Sequence, residues 1–356
     1  MFAKRFAGLK PYVPGEQPTD RAYIKLNANE NPYPPSPEVE KVLRDFDPAL
    51  FQRYPDPDAR ELRSAIADML GGGVSPEMIF AGNGSDEVLS FVFYAFFDSD
   101  SPLRFPEHTY SFYPVYAGYY DIPVIKTPLL SDFSIDTEAL SEGPGTGVIF
   151  ANPNAPTGIY LPLDKIRNLL DSVPRDRVVV VDEAYIDFGG ETAVPLLAEY
   201  PNLAIVRTFS KSYCFAGARL GFVVANPPLI QALFTTKNSF NHFPVDALTQ
   251  KIGIASCRDS RYYAEINGRI IKTRDSFSSS LRKAGWDVIP SLANFVFARK
   301  AGLSGRGVYE AIKREGILVR YFDIPGITDF VRISIGLPAD MEKLLLASIK
   351  VSDDAL

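Results

Sequence analysis

Short apolar runs punctuate the chain from about residue 60 onward, and most lack the polar alternation of a half-exposed strand. Residues 124–125, 148–150, 178–181, 204–206 and 220–224 are of this kind. Such runs predict strands buried on both faces, as in a sheet covered by helices. Residues 163–171 carry a helical pattern between two of them, so a largely parallel α/β sheet is expected. Residues 85–97 read as a buried helix opened by Ser85, with Asp86 and Glu87 suiting a helix N-terminus. Before these, residues 10–58 are rich in proline and polar residues and predict an extended arm with one short helix near residues 36–45.

The last hundred residues follow a different order. A long helix over 261–284 leads to a strand at 293–298 and a helix at 307–315. Strands at 317–321 and 330–335 follow, then a final helix after Pro338. This predicts a compact α+β unit. The expected organisation is an N-terminal arm (1–30), a large domain (31–258) and a small C-terminal domain (259–356), with no internal repeat.

Composition narrows the function classes. Of 356 residues 46% are hydrophobic and 22% charged, which suffices for a sizeable core. A net charge of −6 lacks the basic footprint of a nucleic-acid binder. Cys214 and Cys257 stand far apart, and His108 and His242 are the only histidines, so neither a disulfide framework nor a metal site is expected. The apolar run 88–97 is about half the roughly 20 residues a membrane helix needs. With no apolar leader in residues 1–14, a soluble cytoplasmic protein is expected.

Three predicted strands end in chemically capable residues. Val178-Val-Val-Val-Asp182-Glu-Ala-Tyr185 places an acid where a buried strand stops, at the edge where open α/β sheets bind ligands. Alone, Asp182 reads equally as a cap for the next element. Ala204-Ile-Val-Arg207 runs into Thr208-Phe-Ser210-Lys211-Ser212, delivering a lysine flanked by hydroxyls. A partly desolvated lysine becomes a nucleophile suited to Schiff-base formation. Arg219 follows eight residues later beside Gly217 and Gly221, and a planar guanidinium near Ser210 suits a phosphate. Gly147-Val-Ile-Phe-Ala151 ends in the turn Asn152-Pro-Asn-Ala-Pro-Thr-Gly158. Gly82-Asn-Gly-Ser85-Asp86-Glu offers a helix N-terminus for a phosphate; Glu87 stands where a dinucleotide fingerprint would have its third glycine.

In this order, Asp182-Glu-Ala-Tyr185, Ser210-Lys211 with Arg219, and the Pro-Thr-Gly turn resemble the fold-type I pyridoxal-phosphate aminotransferases. Leu26-Asn-Ala-Asn-Glu-Asn-Pro32, Arg53-Tyr-Pro-Asp56, Pro11-Tyr-Val-Pro-Gly15 and Ile317-Leu-Val-Arg320-Tyr-Phe-Asp323 are similar to the histidinol-phosphate branch of that family. The resemblance implies a large domain with a mostly parallel sheet and a smaller α+β domain. It also implies transamination between glutamate and imidazole-acetol phosphate, giving 2-oxoglutarate and histidinol phosphate.

The resemblance also implies residue roles. Lys211 holds pyridoxal 5′-phosphate as a Schiff base, Asp182 meets the ring nitrogen, Tyr185 the phenolic oxygen, and Tyr110 stacks on the ring. Ser210, Arg219, Gly84, Ser85 and Asp86 lie around the cofactor and its phosphate. Tyr54 reaches that phosphate from a second subunit of a homodimer. Arg332 takes the carboxylate of glutamate, and Tyr12 with Arg320 takes the substrate phosphate. Ala155 stands where many relatives have an asparagine, so Asn154 is the candidate to replace that contact. His108 is expected to be structural. An aromatic-amino-acid aminotransferase and a phosphothreonine decarboxylase remain as rival activities on the same scaffold.

Overall fold

Valines at 178–181 fill the middle of a seven-stranded sheet, and their side chains part to opposite faces. The computed structural model describes residues 2–354. Its strands are β1 (Ile24–Lys25), β2 (Ile79–Gly82), β3 (Leu103–Pro106), β4 (Val124–Thr127), β5 (Gly147–Ala151), β6 (Val178–Asp182) and β7 (Leu203–Thr208). The remainder are β8 (Gly221–Ala225), β9 (Trp286–Val288), β10 (Phe295–Lys300), β11 (Ile317–Leu318), β12 (Arg320–Tyr321) and β13 (Val331–Ser334). The large sheet has the order β2-β8-β7-β6-β5-β3-β4. Val179 and Val181 join one apolar layer with Leu62, Ile66, Ile166 and Ile252. Val180 joins the opposite layer with Val88, Leu89, Ile230 and Leu233. Helices therefore cover both faces, the reason β6 shows no polar alternation.

The sheet is mostly parallel, with one exception. β8 runs antiparallel to both β7 and β2, so the chain reverses between Lys211 and Gly221. That reversal brings the end of β2 to the edge where β5, β6 and β7 end, because Gly82 pairs with Gly221, which itself pairs with Thr208. The apolar pattern does not mark β2 and β3, and β4 departs from a fully buried strand: it lies at the sheet edge with Val124 exposed. The helix Gly84–Phe96 is not capped by Ser85. Asn83 precedes its first residue, and Glu87 accepts the Asn83 N–H at 2.7 Å.

C-terminal residues form a four-stranded antiparallel sheet of order β12-β13-β10-β9, covered by the helices Ser260–Lys283, Gly305–Arg314 and Pro338–Asp354. The single strand expected at 317–321 is divided. β12 belongs to this sheet, whereas β11 pairs in parallel with β1 of the arm. The arm is thus stitched to the C-terminal unit and carries a short 3-10 turn at Lys4–Gly8; another lies beyond it at Pro48–Gln52. Among the described residues no helix is long and apolar enough to cross a membrane.

Candidate active site

Beyond the ends of β5, β6 and β7 lie two adjoining cavities of about 170 and 190 Å³, whose shared lining is Ala28, Tyr110, Ala155, Tyr185 and Lys211. The inner one contains Asp182, the last residue of β6, which is 4% exposed. Tyr113 Oη donates to its Oδ2 at 2.9 Å and the Ala184 N–H to its Oδ1 at 3.2 Å. Neither donor is charged, and no lysine or arginine among the described residues forms an ion pair with it. Burial accordingly raises its pKa from 3.8 to about 6, against the effect of the Tyr113 hydrogen bond. An acid in this state lacks a cationic partner.

Lys211 leaves β7 by a short turn and points back into the same cavity. Its Nζ donates to the Ala28 carbonyl at 3.2 Å, while Asn31 Nδ2 holds the Lys211 carbonyl at 3.0 Å. Desolvation lowers its pKa to about 8, and the charge of Arg332 adds to that fall. Much of the amine is therefore neutral, and nucleophilic, near pH 8.

Arg219 adopts a left-handed φ of 55° just before β8, which turns its side chain toward the Gly84–Phe96 helix. Nη1 donates to Ser210 Oγ at 3.4 Å and to the Ala216 carbonyl at 3.1 Å. Nη2 lies 3.1 Å from Asp86 Oδ2, and Tyr110 Oη donates to Asp86 Oδ1 at 2.9 Å. Gly84 has φ +77°, and a Cβ there would stand 2.5 Å from Arg219 Nη2. At Gly221 a Cβ would meet the Ser85 N at 2.5 Å. Glycine at both positions leaves a cradle of a guanidinium, a hydroxyl and a helix start, which suits a phosphate.

The outer cavity is lined by Tyr12, Arg320 and Arg332 together with Lys25, Asn27 and Phe322. Arg332, on β13, donates to the Asn27 carbonyl at 3.3 Å and lies over the Phe295 and Phe322 rings, but its buried Nε has no acceptor. Arg320 donates to the Val13 carbonyl at 3.0 Å. Neither arginine has a carboxylate partner among the described residues. Tyr12 packs on Phe112 with ring centroids 4.9 Å apart. The outer cavity therefore offers two guanidinium groups and lacks an anion.

The sequence profile of the aminotransferase class I and II family matches residues 21–349. A histidinol-phosphate aminotransferase of Syntrophus aciditrophicus (strain SB) is 55% identical over 97% of this chain and 96% of its own length. The chain belongs to the class I and II aminotransferase family. A second relative, histidinol-phosphate aminotransferase 1 of Oceanobacillus iheyensis, is 47% identical over 94% of this chain and 93% of its own. Among solved structures, a histidinol-phosphate aminotransferase from Sinorhizobium meliloti in complex with pyridoxal-5′-phosphate matches at a TM-score of 0.89. It is 26% identical and covers 100% of this chain and 98% of its own. A Thermus thermophilus aspartate aminotransferase mutant, 20% identical with a TM-score of 0.83, shares the fold over 99% of both chains.

Two expected site residues of this aminotransferase stand apart from the cavities. Asn154 is 1% exposed and lines neither cavity. Its amide is occupied by the segment that follows β3, donating to the His108 carbonyl at 2.8 Å and accepting from Thr109 Oγ1 at 2.9 Å. The residue expected to replace a contact at position 155 thus lies outside the cavities, whereas Ala155 lines both and presents only a methyl group. Tyr54 is 82% exposed and stacks on Phe243, with centroids 4.5 Å apart, away from both cavities of its own chain. Conversely, two contributors had no assigned role. Tyr113 lay hidden in an aromatic-rich stretch that reads as core. Asn29, inside Leu26-Asn-Ala-Asn-Glu-Asn-Pro32, donates through Nδ2 to Tyr185 Oη at 3.0 Å.

Proposed function

We propose that this aminotransferase uses pyridoxal 5′-phosphate to transfer the amino group of glutamate to imidazole-acetol phosphate, giving 2-oxoglutarate and histidinol phosphate in histidine biosynthesis. The observation that carries the reading is one cleft with three unmatched charges: a buried carboxylate without a cation, and two arginines without anions, grouped around a lysine of lowered basicity. The inner cavity fits the cofactor. Asp182 would take its cationic ring nitrogen, and Arg219 with Ser210, the Ser85 backbone and the space left by Gly84 would take its phosphate. Tyr110 and Tyr185 would bound the ring, and Lys211 would supply the amine that binds it covalently.

The bound cofactor supplies an electron sink for the pair left when the α-proton of the amino acid departs. The remaining work falls to the protein. Arg332 orients glutamate by its carboxylate, and its Phe295 and Phe322 neighbours exclude water from that contact. Lys211 Nζ, its basicity lowered by burial, would take the α-proton as a neutral base. Arg320 and Tyr12 meet the phosphate of the second substrate.

We further assign Tyr54 to the cofactor phosphate of a second copy, in a homodimer. Phe51, Tyr54 and Phe240 are 60%, 82% and 77% exposed, an aromatic exposure that suits a covered interface. A cytoplasmic setting fits the free thiols of Cys214 and Cys257.

Steady-state kinetics test the substrate assignment. Histidinol phosphate is expected to exceed phenylalanine in kcat/KM, and Arg320→Ala to lower the former about 100-fold while sparing the latter. An equal loss for both, or a preference for phenylalanine, supports the aromatic aminotransferase instead. Carbon dioxide release without an oxo-acid acceptor supports the decarboxylase.

A further inference from the structure

Asn29 sits where the arm, the small sheet and the large domain meet. It is 1% exposed and takes a left-handed φ of 54°. Its backbone N–H donates to Ser334 Oγ at 2.8 Å, and Ser334 Oγ donates its own proton to Asn29 Oδ1 at 2.9 Å. Asn294 Nδ2 holds the Asn29 carbonyl at 2.9 Å. With Oδ1 occupied as the acceptor, the amide presents Nδ2 to Tyr185 Oη at 3.0 Å.

A phenol has one proton to donate. Since Asn29 donates to the Tyr185 oxygen, Tyr185 cannot return its proton to that amide nitrogen. No other protein acceptor engages it among the described residues, and the tyrosine lines both cavities. Ala155, which shares its apolar cluster, has no donor to offer, and the Asn154 amide is occupied elsewhere.

We propose that Asn29 is a positioning residue acting through Tyr185, fixing the tyrosine as a one-way donor whose proton is directed at an anionic oxygen of the bound cofactor. The inference rests on the cofactor assignment above. A donor at that oxygen favours the more anionic form of the lysine-bound chromophore, so it lowers the pH at which the chromophore loses its proton. The arm, through one amide, thereby sets the acid–base behaviour of the site.

The test is a pH titration of holoenzyme absorbance. Asn29→Asp keeps the acceptor for Ser334 and tolerates the left-handed backbone, but it reverses the hydrogen bond, because a carboxylate accepts the Tyr185 proton. Asn29→Gly accepts the same backbone and deletes the donor. The glycine variant is expected to raise the chromophore pKa by roughly 0.5–1 unit, and the aspartate variant by more. In a Tyr185→Phe background Asn29→Gly is expected to produce no further shift. Both variants titrating within about 0.2 unit of the parent, or a glycine shift of equal size without the Tyr185 hydroxyl, overturns the proposal. Absence of a cofactor chromophore in the parent protein would instead reject the cofactor assignment itself.

Discussion

At the scale of single residues, the decisive property is mismatch between charge and surroundings. Asp182 is buried with two neutral donors, and its folded pKa of about 6 lies above the ordinary 3.8. Below pH 3.8 the group is neutral whether the chain is folded or not. As pH rises from there through about 6, the folded state holds a proton that the unfolded chain gives up, so stability falls across that window. At about 1.4 kcal/mol per unit the penalty is on the order of 3 kcal/mol near neutrality. Asp182→Asn is therefore expected to stabilise the cofactor-free protein against urea at pH 7.5, with the gain vanishing toward pH 4, while weakening cofactor binding. A destabilised Asn variant at pH 7.5 contradicts the mismatch.

Lys211, Asp182 and Arg219 were legible in the chain because strand ends can be found from valine-rich runs and their stops. Asn154 was not. Its availability depends on whether His108 and Thr109 occupy its amide, a fact of loop packing that local pattern does not carry. Asn29 was hidden for the same reason, since its partners Ser334 and Asn294 lie some three hundred residues away.

Elements place these residues by register. Ala151 pairs with Asp182, and Asp182 with Val206, so the exits of β5, β6 and β7 share one edge without adjustment. Reversal of β8 then lays Arg219 against the start of the Gly84–Phe96 helix. A parallel sheet was readable from unbroken apolar runs, but this reversal was not, because β8 is as apolar as its neighbours and strand direction leaves no mark in composition. β2 and β3 are four residues each, too short for their periodicity to stand out. Gly84→Ala tests the role of this packing. The added Cβ would meet Arg219 Nη2 and oppose φ +77°, a strain of about 1–2 kcal/mol. Cofactor affinity in an absorbance titration is expected to fall about tenfold or more, whereas an unchanged Kd would mean that Gly84 does not shape the phosphate site.

β1 pairs with β11, and Tyr12, Asn27 and Asn29 line the outer cavity, so residues that read as an extended arm form part of its wall. If Tyr54 serves the cofactor phosphate of a second copy, subunit mixing reveals it. Lys211→Ala and Tyr54→Ala proteins are each expected to be impaired, and exchanging their subunits is expected to restore activity. In a mixed dimer the site with an intact lysine receives an intact Tyr54. No recovery on verified exchange would place Tyr54 in its own chain's site or outside catalysis altogether.

Everything in the proposed chemistry depends on Lys211 being the amine that holds the cofactor. Borohydride reduction of the protein with pyridoxal 5′-phosphate, followed by proteolysis and mass spectrometry, tests it directly. The adduct is expected on Lys211 at one equivalent per chain, and Lys211→Ala is expected to abolish it. A stoichiometric adduct on another lysine, such as Lys25 of the outer cavity, or none at all, would contradict that assignment.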